Sequence, residues 1–179
     1  TVETSCLPRQ HGLNRSFVQD LLFTNCHKGR NILTDEYKTI TDKLSEGFYS
    51  EKRSKFLAFA VHVTTEQQVK DIVQQYRKKY YDARHVCYAY VLGADRELFR
   101  ANDDGEPSST AGKPILGQIT KNELTDILII VVRYYGGVNL GTSGLIVAYR
   151  TAAAEAIENA EIVSKYCEEE VDFSLHHDE

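Results

Sequence analysis

The run Ile127-Leu128-Ile129-Ile130-Val131-Val132 is apolar at every position. Side chains of a strand alternate between two faces, so a strand without a polar face is covered on both sides. The fold therefore requires a central strand with apolar partners above and below it. A helix over Glu66 to Tyr80 supplies one such partner, because Val69, Ile72, Val73, Tyr76 and Tyr80 recur at offsets 0, 3, 4, 7 and 11 along one helical face. Thr65, followed three positions later by Gln68, provides a capping box for its start. A second helix over Leu145 to Ala160 carries a small face of Ala152, Ala153, Ala156 and Ala160, suited to close packing on a sheet, and a short helical piece is expected near Ile115 to Thr120.

Two hairpins complete the pattern. Phe48 to Glu51 and Lys55 to Val63 read as strands joined by the charged turn Glu51-Lys52-Arg53-Ser54, and His85 to Leu92 turns at Gly93-Ala94-Asp95 into a strand around Glu97 to Ala101. Residues 1–34 show no sustained period apart from a short helix around Ser16 to Phe23, and are expected to form an extension outside the main domain of residues 35–163. Strand-like material at Ile162-Val163 and Val171 to Leu175 suggests that residues 164–179 begin a further unit.

At 179 residues the chain suits one well-packed core. No apolar run approaches the roughly 18 residues of a membrane span, and the first residues lack a basic stretch leading into an apolar core. A soluble, cytoplasmic protein without membrane partners is expected. The chain contains no Met, so Thr1 is not expected to be a translation start. Its four cysteines, Cys6, Cys26, Cys87 and Cys167, show no C-x-x-C spacing, and neither a metal nor a cofactor is implied. A net charge of -5 argues against indiscriminate polyanion binding, yet the charge is uneven. Glu155 to Glu179 is strongly acidic, whereas Lys52, Arg53, Lys55, Arg77, Lys78, Lys79 and Arg84 make the middle basic.

Two loops carry chemistry, and both follow strands, where α/β proteins place ligand contacts. In the first, Asn102 to Pro114, the carboxylates Asp103, Asp104 and Glu106 can hold a hard cation or act as acid and base, or they can build a tight turn from Asp-Gly and Glu-Pro. The second, Arg133 to Gly144, has phosphate-loop spacing from Gly136 to Gly141. Thr142-Ser143 follows where that motif needs Lys then Ser or Thr, so it is not a P-loop. Its glycines either leave backbone N–H groups free for an anion at a helix start, assisted by Arg133, or serve only a sharp turn. His85 and Cys87 share a strand face as a nucleophilic dyad would, but no orienting group or oxyanion hole can be assigned, and a hydrogen-bonded structural or ligand-contacting histidine is the other reading. Lys52, Arg53 and Lys55, backed by Phe48 and Phe56, form either a nucleic-acid contact or a solvated hairpin tip.

Four blocks, Glu51 to Phe56, Ala83 to Tyr90, Asp103 to Pro114 and Val131 to Tyr149, resemble the YigZ/IMPACT family in order and spacing, over roughly Asp35 to Ala160. Tyr135 and Ser143 stand where many relatives carry Phe and Gly. The resemblance implies an α+β, two-layer sandwich of a mainly four-stranded mixed sheet with two helices, similar to the second domain of a ribosomal small-subunit protein. It also implies a translation-linked, non-enzymatic binding and regulatory role. Eukaryotic relatives regulate translation initiation through a partner protein, and nucleic-acid binding is proposed for bacterial ones. The expected partner is nucleic acid or a ribosome-associated protein. The expected anion-binding surface comprises His85, Asp103, Asp104, Glu106, Ser108, Ser109, Thr110, Lys113, Arg133, Gly136, Gly137, Gly141 and Thr142, with no catalytic residue. The alternatives are an enzyme acting on a phosphorylated or anionic small molecule at the glycine-rich loop, and a protein–protein adaptor.

Overall fold

A computed structural model describes residues 36–167. In chain order these form β1 (Glu36–Ile40), β2 (Ser45–Glu51), β3 (Ser54–His62), α1 (Glu66–Lys79), β4 (His85–Leu92), β5 (Leu98–Asn102), α2 (Gly112–Lys121), β6 (Ile127–Tyr134), α3 (Gly141–Glu158) and β7 (Ile162–Tyr166). The expected helix at Ser16 to Phe23 and strand at Val171 to Leu175 lie outside the described residues.

The apolar run is β6, at the centre of a five-stranded sheet ordered β2-β3-β6-β4-β5. Its alternation divides the interior in two. Ile127, Ile129 and Val131 face α2 and α3 with Phe56, Ala58, Cys87 and Ala89. Leu128, Ile130 and Val132 face α1 with Phe59, Val86 and Tyr90. The capping box opens α1: Gln68 N–H donates to Thr65 Oγ1 at 3.3 Å, and Thr65 N–H donates to Gln68 Oε1 at 3.2 Å. On the other face α3 lies so close to β2 that a Cβ on Gly47 would sit 2.5 Å from Ala156 N, which explains the small residues at Ala152 and Ala156.

The expected two-layer sandwich of a four-stranded mixed sheet with two helices is incorrect. The described residues form three helices, a five-stranded sheet and a separate two-stranded one in which β1 pairs antiparallel with β7, from Glu36 opposite Tyr166 to Ile40 opposite Ile162. Helices cover both faces of the larger sheet, as the doubly apolar strand requires. Its four pairings are all antiparallel. The unit β3-α1-β4 has the form that normally yields neighbouring parallel strands, but β6 inserts between β3 and β4 and runs against both. Both helices on the α2/α3 face also begin earlier than expected, at Gly112 and Gly141, because glycine's low helix propensity disguises a first turn as loop. Among the described residues no helix is long and apolar enough to cross a membrane.

Candidate functional site

At the end of the sheet where β4 begins and β6 finishes, the register sets Arg133 opposite His85 on one side and Phe56 on the other. All three side chains emerge on the α2/α3 face. Beneath them lies a buried polar network. Glu106, from the loop after β5, accepts hydrogen bonds through Oε1 from Arg133 Nη1 and from the Tyr149 hydroxyl, the latter at 2.8 Å. Arg133, Glu106 and Tyr149 are each less than a tenth exposed, so the ion pair has little access to water. Such a pair holds its geometry because separating it would leave a buried charge uncompensated.

His85 is oriented by the same loop. Its Nδ1 lies 2.8 Å from the Asp104 carbonyl oxygen, which can only accept, so Nδ1 carries the hydrogen and Nε2 is left 3.9 Å from Glu106 Oε1. Cys87 Sγ lies 3.0 Å from the Asp103 carbonyl oxygen and 3.4 Å from the Tyr149 hydroxyl. Burial pushes the Cys87 thiol far above its ordinary range, and the neighbouring carboxylates push the same way. The thiolate a nucleophile requires is therefore disfavoured. Burial likewise raises the Tyr149 phenol, which stays a donor.

A cleft of about 440 Å³ opens over this network. His85, Glu106, Arg133, Gly141 and Thr142, all expected from the sequence, line it together with Arg84, Tyr135 and Asn139, which the sequence did not single out as site residues. No side chain caps the first turn of α3, which opens at the cleft, so its leading N–H groups remain available. Arg84 and Arg133 both lie against the Tyr135 ring, at 5.6 and 5.7 Å from its centroid, and Arg133 also lies 5.6 Å from the Phe56 centroid. Phe56, Arg133, Tyr135 and Arg84 thus form an alternating series of rings and guanidiniums that ends at the exposed Arg84.

The remaining expected residues stand elsewhere. Asp103 accepts from Ser109 N (2.8 Å), Ala111 N (3.1 Å) and Gly112 N (2.8 Å), closing the loop and capping α2. Asp104 is held by Val86 N and by Arg77 Nη2. Thr110 bonds the Pro107 carbonyl at 2.6 Å. Ser108, Ser109 and Lys113 do not line the cleft, and neither does Gly137. Gly136 packs on the β2–β3 turn so tightly that a Cβ would fall 2.1 Å from Arg53 C. Lys52 and Arg53, both at positive φ, make that turn at the same end of the sheet but outside the cleft. Lys55 alternates with Phe56 and so faces the opposite side. Among the described residues no group of three or more His, Cys, Asp or Glu is placed to hold a metal.

The Impact N-terminal domain matches residues 52–157, which include every strand of the larger sheet in part or whole except β2. The chain belongs to the IMPACT family. It is 40% identical over 114 residues to the IMPACT family member YvyE of Bacillus subtilis, aligning 64% of this chain with 52% of that protein. With YigZ of Escherichia coli it is 42% identical over 108 residues, covering 59% of this chain and 53% of the relative. The chain spans about half the length of these curated relatives. Among solved structures, one described as a hypothetical protein superposes with a TM-score of 0.71 at 34% identity, over 75% of this chain and 66% of its own. For an IMPACT-family domain the cleft is thus built from the end of the central strand, where it meets the loop after β5 and the start of α3.

Proposed function

We propose that this IMPACT-family domain is a binding and regulatory module linked to translation, and that its ligand, nucleic acid or a ribosome-associated partner, presents a phosphate to the cleft. The observation that carries this reading is the uncapped first turn of α3 opening beside two guanidiniums, those of Arg84 and Arg133. Helix N-termini and arginine forks are both well suited to holding phosphate. The link to translation follows from family membership and from what the resemblance implies of eukaryotic relatives.

The test is a salt titration of single-stranded RNA binding by the full chain. Arg84→Ala is expected to weaken binding across sequences and to reduce the salt slope by about one unit. Lys78→Ala, on an exposed part of α1, serves as the control; Arg77 is unsuitable because it holds Asp104. Wild-type-like binding by Arg84→Ala, with loss on Lys78→Ala, moves the site to the helix.

The size of the cleft favours one second reading, an enzyme acting on a phosphorylated or anionic small molecule, since about 440 Å³ suits a single compact ligand. Turnover of such a compound that is lost on His85→Gln while folding is retained would establish it.

A further inference from the structure

We infer that the cleft takes a phosphate monoester carried by a nucleotide, in preference to an internal phosphodiester of a continuous strand. The inference rests on the anion-binding reading above and narrows it.

The first argument is the number and placement of unspent donors. Arg133 is more than nine-tenths buried and lines the cleft. One of its nitrogens serves Glu106, while its Nε has no partner. The leading N–H groups of α3 have no side-chain cap, and the exposed Arg84 pairs with no carboxylate among the described residues. A diester offers two free oxygens, whereas a monoester offers three, matching donors that come from β6, α3 and the start of β4.

Charge points the same way. Two guanidiniums less the Glu106 carboxylate leave one positive charge at the cleft, and the helix terminus brings the total to about +1.5. A monoester carries about -1.5 to -2 near neutrality, and a diester only one negative charge.

One further feature selects a nucleotide over another phosphorylated group. The ring–guanidinium series ends at Arg84, whose planar group is exposed to receive a nucleobase by stacking.

Anisotropy measurements on the full chain, with a short single-stranded RNA labelled at the opposite end, test this directly. The terminal phosphate is expected to tighten binding about tenfold or more. Arg84→Ala, checked by circular dichroism, should erase that difference. A mononucleotide that competes as well as the strand identifies a free nucleotide as the source, and one that competes poorly identifies a strand end; either agrees with the inference. Affinities within about twofold with and without the terminal phosphate, both reduced by Arg84→Ala, overturn the monoester inference and leave the nucleic-acid reading standing. Tighter binding of a phosphoserine peptide than of any RNA overturns the nucleotide assignment, and binding of none of these probes overturns both readings.

Discussion

Tyr149 donates its phenolic hydrogen to Glu106 Oε1 at 2.8 Å, from a side chain with no exposed surface. The hydroxyl and Arg133 together satisfy a carboxylate that water scarcely reaches. Tyr149→Phe keeps the edge-on contact with Phe56, at 5.1 Å and 80°, and removes only the donor. It is expected to lower stability by about 1–3 kcal/mol with an unchanged m-value in urea. An unchanged midpoint would show that the hydroxyl does not support the pair.

Asp103 should behave as a structural residue. Its three backbone donors span the loop and the start of α2, so Asp103→Ala leaves several N–H groups unpaired at once. A loss of about 2 kcal/mol or more in thermal or chemical unfolding is expected. Retained stability with selective loss of ligand binding would return Asp103 to the ligand-contacting set.

Gly136→Ala should destabilise through contact rather than chemistry. The added carbon meets the Arg53 backbone at 2.1 Å, and no flexible side chain is available to yield. The expected cost is about 1–3 kcal/mol, together with displacement of the β2–β3 turn, visible as shifts in the amide spectrum of Lys52 to Ser54. Gly137 meets no atom, so Gly137→Ala pays only for its positive φ and should leave that turn unmoved.

Cys87 gives the pH dependence. Burial raises its thiol above the ordinary value of 9.0, so the folded chain keeps a proton that the unfolded chain releases. The associated stability is whole below pH 9.0 and falls as pH rises through and beyond that value. Wild type is therefore expected to lose stability more steeply above pH 9.0 than Cys87→Ala. Iodoacetamide should spare the Cys87 peptide in the native protein and label it after denaturation; rapid native labelling would contradict the burial argument.

Most of the strands and helices were legible because each carries its own period, whereas β1, short and paired only with the distant β7, was not among those expected. Val69, Val73 and Tyr76 declare a helical face, and the six apolar positions of β6 declare a doubly covered strand. Strand order was not legible, because the placement of β6 between β3 and β4 is a long-range choice that no local pattern encodes. The same holds for the cleft. Glu106 and Arg133 meet across 27 positions of sequence. Asp103 resembles a ligand group until its oxygens are seen to be occupied by the backbone, and Arg84 and Asn139 join the cleft only through tertiary proximity. Charge alone suggested Lys113, but its side chain is exposed on an otherwise buried first turn of α2 and does not line the cleft.

The central position of β6 also sets a timetable for the nascent chain. The hairpins β2–β3 and β4–β5 share no ladder with each other, and their union waits for a strand that begins only at Ile127. Until that strand leaves the ribosome, β3 and β4 each present an unpaired edge, and the closure that joins them spans long loops. Assembly of the sheet is therefore expected to be late and slow relative to its hairpins, with β6 as the step that commits the domain.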